Sequence, residues 1–126
     1  MHRYSAAVLP ILDSSAGLFQ RLARDAGAAP DSDTLVILCS QYAPQVQVQA
    51  DEADGIPHPD PWYTQVGYLH HYIMGLYHDV LGALTNCTSA GSDGDPDAAG
   101  TVASDLSDNA GRLSSVDGYV RWYATH

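Results

Sequence analysis

Residues 62–88 read WYTQVGYLHHYIMGLYHDVLGALTNCT, and this stretch decides the fold. Val66, Leu69, Ile73, Leu76, Val80 and Ala83 recur at steps of three and four, a heptad seam through three cycles. A strand would need strict alternation instead. Asp79 is its only Asp, Glu, Lys or Arg, and a helix so poor in charge belongs at the centre of a bundle. The stretch therefore predicts a central helix from Trp62 to about Thr88.

Working outward, the segment before it is held by Asp51, Asp54, Gly55, Pro57, Pro59, Asp60 and Pro61, a composition that makes a loop. The segment after it, from Ser89 to Asp97, is mostly Gly, Asp and Ser and reads as a second break. From about Ala98 to Tyr123 a helical stripe returns: Val102, Leu106, Ala110, Leu113, Val116, Val120 and Tyr123. Asp97 is placed to cap it. Asp117 and Arg121 form an i, i+4 pair on its polar side. At the other end, Val8, Ile11, Leu12, Ser15, Leu18, Phe19 and Leu22 predict a helix from about Ser5 to Ala26. Pro10 either opens or kinks that helix, and Gly27 and Pro30 end it.

The segment from Asp31 to Gln49 supports two readings. Leu35, Leu38, Tyr42, Val46 and Gln49 share a helical face, with Asp31, Ser32 or Asp33 as cap. Thr34 to Cys39 also reads as a buried strand, and Gln45-Val46-Gln47-Val48-Gln49 alternates like a second one. The helix, kinked at Pro44, is favoured. The expected fold is all-α, a four-helix up-down bundle in one domain spanning residues 1–126. The alternative is α+β with a short hairpin at about 34–49.

The 126 residues are 45% hydrophobic and 16% charged, which suits a folded domain with one core. The charge is lopsided. Fourteen aspartates and Glu52 face five arginines and no lysine, for a net charge of −10. Such a chain repels phosphate backbones and anionic lipid, so neither nucleic acid nor membrane is an expected partner. A protein partner is expected, above all a second copy of the chain in a homo-oligomer. Cys39 and Cys87 form neither a disulfide framework nor a zinc pattern. Two buried thiols in a reducing compartment are expected, and hence a cytoplasmic location. The run from Ala6 to Leu12 is cut at seven residues by Asp13, so no signal peptide is expected.

The candidate site residues lie on the central helix. Gly67, His71, Gly75, His78 and Gly82 follow at four, four, three and four, and so share a face roughly opposite the seam. Glycine inside a helix costs about 1 kcal/mol relative to alanine. Three on one face suggest close packing there, by another helix, a second chain or a flat ligand. A metal or ligand would use His70, His71 and His78. One helix chelates one ion through i and i+4, however, and His71 and His78 are separated by about 10 Å of rise. No cofactor is expected. Asp93, Asp95 and Asp97 match the first three positions of a calcium loop, but Ala98 and Ser104 stand where the turn glycine and the bidentate glutamate belong.

Arg121, four residues and then His126 resembles the active-site motif of HEPN-type ribonucleases, which are small helical bundles. That resemblance implies metal-independent RNA cleavage by Arg121 and His126 acting together. No glycine-rich phosphate loop and no nucleophile elbow is present. The expected function is therefore that of a non-enzymatic bundle acting through protein contacts. The alternative is a small ligand- or metal-binding bundle, with or without enzymatic activity, built on the histidines of the third helix.

Overall fold

The helical periods are realised as four helices: α1 (His2–Ala28), α2 (Ser32–Asp54), α3 (Gln65–Asp93) and α4 (Pro96–Thr125). The computed structural model describes residues 2–57, 64–93 and 96–126. Among these residues there is no strand. The segment open to a hairpin is therefore helical, and α2 carries Pro44 inside it. α1 likewise carries Pro10 inside it and begins at His2, so Pro10 does not open the helix. α3 continues five residues beyond Thr88, and α4 begins at Pro96, where a proline in the first turn sacrifices no helical hydrogen bond. His58 to Tyr63, and Gly94 and Asp95 of the calcium-like turn, lie outside the described residues.

Cross-helix partners establish the direction of each helix. Gln20 meets Ser114 and Asp13 meets Arg121, so α1 and α4 are antiparallel. Cys39 meets Cys87 and Asp54 faces His70, so α2 and α3 are antiparallel. Gln65 reaches Tyr119 and Tyr123, which sets α3 against α4 in the same sense. Tyr4 meets His70 and Ser15 meets Tyr77 across the diagonal, where α1 and α3 run parallel. This is the up-down bundle, with α1 packed most extensively on α4 and α2 on α3.

The seam predicted on α3 is the core. Val66, Leu69, Ile73, Leu76, Val80 and Ala83 are all buried. They meet Val8, Leu12, Leu18, Phe19 and Leu22 of α1, Leu35 and Val46 of α2, and Val102, Leu106, Leu113 and Val120 of α4 in one continuous cluster. Asp31 caps α2 through a 2.7 Å bond from the Thr34 N–H to its carboxylate, which holds that carboxyl below its usual range. No helix among the described residues is long and apolar enough to cross a membrane.

One expectation is reversed. Cys39 and Cys87 are not free thiols but a disulfide, joining α2 to α3 with a Cα–Cα distance of 6.4 Å. Both cysteines point inward, and the antiparallel register of the two helices brings them level. Their spacing of 48 residues alone carries no sign of this.

Candidate functional site

Among the described residues, grooves lie on two sides of α3. The first lies between α3 and α4. There the seam turns Val66, Leu69 and Ile73 inward, and the helix must present Gln65, Tyr68 and Tyr72 outward. On α4 the inward residues Val116 and Val120 similarly leave Ser115 and Tyr119 at the surface. The result is a groove of about 500 Å³ walled by Tyr68, Tyr72 and Tyr119, with Leu69 and Val116 toward the core. Thr64, Gln65 and Ser115 supply hydroxyl and amide groups, and among the described residues no charged side chain lines it. Tyr68 is 63% exposed and Tyr119 45%, although each presents a large aromatic ring.

Local contacts order this wall. The Gln65 side-chain amide donates to the Tyr123 hydroxyl at 3.2 Å and to the Tyr119 hydroxyl at 3.5 Å. The Tyr119 and Tyr123 rings lie 5.0 Å apart, and their mutual hydrogen bond is the main cause that raises the Tyr119 phenol above its ordinary pKa. Trp122 extends the aromatic surface, edge-on to Tyr123 and stacked on His126 with centroids 4.6 Å apart.

The second groove, of about 620 Å³, lies between α2 and α3. Gln47, Asp51 and Asp54 of α2 face His71, Gly75 and His78 of α3 across it. Of the face read from the sequence, His71, Gly75 and His78 thus share a groove, and Gly82 is exposed beyond it. Gly67 is buried, and its N–H donates to the Thr64 hydroxyl at 3.2 Å in the first turn of α3. A Cβ built on Gly75 or Gly82 would meet nothing within 4 Å, so neither glycine serves a close approach within the chain.

The three histidines part company. His70 points into the interior, where its Nδ1 lies 2.8 Å from the Tyr4 hydroxyl and its Nε2 3.6 Å from the Asp54 carboxylate. His71 and His78 point into the second groove instead. Among the described residues, no group of three or more His, Cys, Asp or Glu side chains is placed to hold a metal ion.

Other polar groups are committed to structure. Tyr77 and Ser15 join through their hydroxyls at 2.5 Å, and Ser15 donates onward to the Gln49 side-chain oxygen at 2.5 Å. Burial pushes the Tyr77 phenol up to about 12 and the Tyr4 phenol higher still. Arg121 is bound to Asp13 and Asp117, and His126 folds back on the Trp122 carbonyl. The two residues of the ribonuclease-like motif are therefore each engaged elsewhere rather than converged on a common point.

The tyrosine groove is not among the candidate sites that the sequence suggests. Its signal there is faint: Tyr68 and Tyr72 at i and i+4, and Tyr119 forty-seven positions later. Only the packing of α4 against α3 unites them. No family model, curated protein or solved structure matches the chain.

Proposed function

We propose that the chain is a non-enzymatic helical bundle that works through protein–protein contacts made at the tyrosine groove between α3 and α4. One observation carries this reading. In a chain of net charge −10, three exposed tyrosines wall a groove that no charged side chain among the described residues lines. Interface centres are depleted in charge and enriched in tyrosine and tryptophan, whose large, stiff rings bury area at low entropic cost. A solvated surface of this chain has no such need for Tyr68, Tyr72, Tyr119 and Trp122 together. The dispersal of His70 from His71 and His78 gives the ligand- or metal-binding alternative less support.

The Cys39–Cys87 bond bears on the place of work. Disulfides persist in oxidising compartments. It therefore supports such a compartment in place of the cytoplasm that two free thiols would imply.

Native mass spectrometry of the untagged chain, isolated from its own source, tests the reading. Assemblies with added protein mass, of this chain or another, are expected. A bare monomer carrying a small-molecule or metal adduct would overturn it and move attention to the His71–His78 groove.

A further inference from the structure

We infer that the tyrosine groove takes a basic segment of another protein, whose arginine side chains lie on the tyrosine rings and whose charge meets three aspartates where the groove continues along α3 and α4. This rests on the groove being a protein-docking surface, and it states the chemistry of the partner.

Helical register sets the geometry. Seven residues make about two turns, so positions seven apart share a face and lie about 10 Å from one another. On α3 the groove residues Gln65 and Tyr72 are followed at that step by Asp79. On α4 Ser115 is preceded by Asp108, and Tyr119 by Arg112 and then Asp105. The two helices are antiparallel, with the Gln65 amide 3.5 Å from the Tyr119 hydroxyl. Two such steps from that contact bring Asp79 on α3 level with Asp105 on α4, with Asp108 about one turn away. All three aspartates and Arg112 are exposed. The tyrosine-walled groove thus leads into an acidic stretch, where three carboxylates outnumber one guanidinium among the described residues.

Both ends call for the same partner. The face of a tyrosine ring attracts a cation, and a guanidinium, flat and weakly hydrated, stacks on it better than an ammonium does. Arginine is accordingly enriched beside tyrosine in interfaces. The net charge of −10 steers a basic surface toward the chain and repels an acidic one. An uncharged segment would leave Asp79, Asp105 and Asp108 without complementary charge. The chain has little of its own to offer them: it holds five arginines and no lysine, and Arg121 is bound to Asp13 and Asp117.

Titration of the full, oxidised chain with two blocked peptides, followed by the tyrosine ring signals in NMR, decides it. One peptide alternates glycine and arginine; the other has glutamine in place of each arginine. The arginine peptide is expected to bind, to shift Tyr68, Tyr72 and Tyr119, and to weaken as salt rises. The glutamine peptide should not bind. Tyr68→Leu and Tyr119→Leu keep an apolar side chain and remove the ring, and each should weaken binding by about threefold. Asp79→Asn with Asp108→Asn should weaken it too and flatten the salt dependence. Asp33→Asn with Glu52→Gln removes the same charge from α2 and should leave binding unchanged. Equal loss in that α2 variant would show diffuse attraction to an acidic chain and overturn the inference. So would leucine variants that bind normally, a glutamine peptide that binds as well, or an arginine peptide that does not bind. If the arginine peptide fails while the three tyrosines are protected in the source cell, the basic occupant falls and the docking surface stands.

Discussion

Cys39 of α2 and Cys87 of α3 are covalently joined across the antiparallel helix pair, closing a loop of 48 positions that contains the whole α2–α3 connection. That connection carries Gly55, Pro57, Pro59 and Pro61, and the bond ties α2 to α3 directly. Reduction, or the double change Cys39→Ala with Cys87→Ala, should lower stability by about 2–4 kcal/mol. Thermal melts with and without reductant check this. Two titratable thiols in the denatured, unreduced protein would contradict it.

Ser15 is the hub of a buried network, accepting from Tyr77 and donating to Gln49. Removing the hub strands the Tyr77 hydroxyl in the core, where an unpaired polar group costs about 1–3 kcal/mol. Ser15→Ala should therefore destabilise the bundle by about 2 kcal/mol. Tyr77→Phe leaves Ser15 its Gln49 partner and should cost less, about 1 kcal/mol. Urea denaturation of the two variants ranks them, and the reverse order would show that the network is arranged differently.

Asp117 should make stability depend on pH. Burial, then its hydrogen bond to Asp13, raises its pKa from 3.8 to about 6, against the opposing pull of Arg121. The folded chain thus holds this proton more tightly than the unfolded chain. The stability it contributes is present below pH 3.8 and is lost as pH rises through about 6. Asp117→Asn should raise stability at pH 7 by about 1 kcal/mol and change it little at pH 4. Melting curves at the two pH values test the sign. An equal effect at both would contradict it.

Gly75 and Gly82 face open space on exposed helix. Gly75→Ala and Gly82→Ala should each stabilise the chain by about 0.5–1 kcal/mol through backbone entropy and leave its oligomeric state unchanged. Destabilisation, or a change of assembly, would mean that a partner approaches closely at this face.

Much of the fold is legible in the sequence because the third and fourth helices carry long, clean stripes. Every residue of the Val66–Ala83 seam is buried, and so are Val102 through Val120 of the α4 stripe. The second helix is ambiguous locally because Thr34–Cys39 is β-branched and apolar, and Gln45–Gln49 alternates. Packing resolves it: as a helix it buries Leu35, Cys39, Val46, Ala50 and Ala53 together on α3 and α1. The Cys39–Cys87 pairing depends on the register between two helices, a property no local pattern encodes. The site divides in the same way. Of the α3 face that the glycine spacing singles out, His71, Gly75 and His78 line a groove, while Gly67 is buried and Gly82 lies beyond it; the tyrosine groove exists only once α3 and α4 are side by side.

The central claim is that Tyr68, Tyr72 and Tyr119 are covered when the protein is at work. Hydroxyl-radical footprinting in the source cell, read by mass spectrometry against dilute purified chain, tests it most directly. The three tyrosines should be protected in the cell, while Ile37, 59% exposed on α2, reacts as freely as in the dilute chain. Tyrosines labelled in the cell as fast as in the dilute monomer would show the groove open and contradict the account.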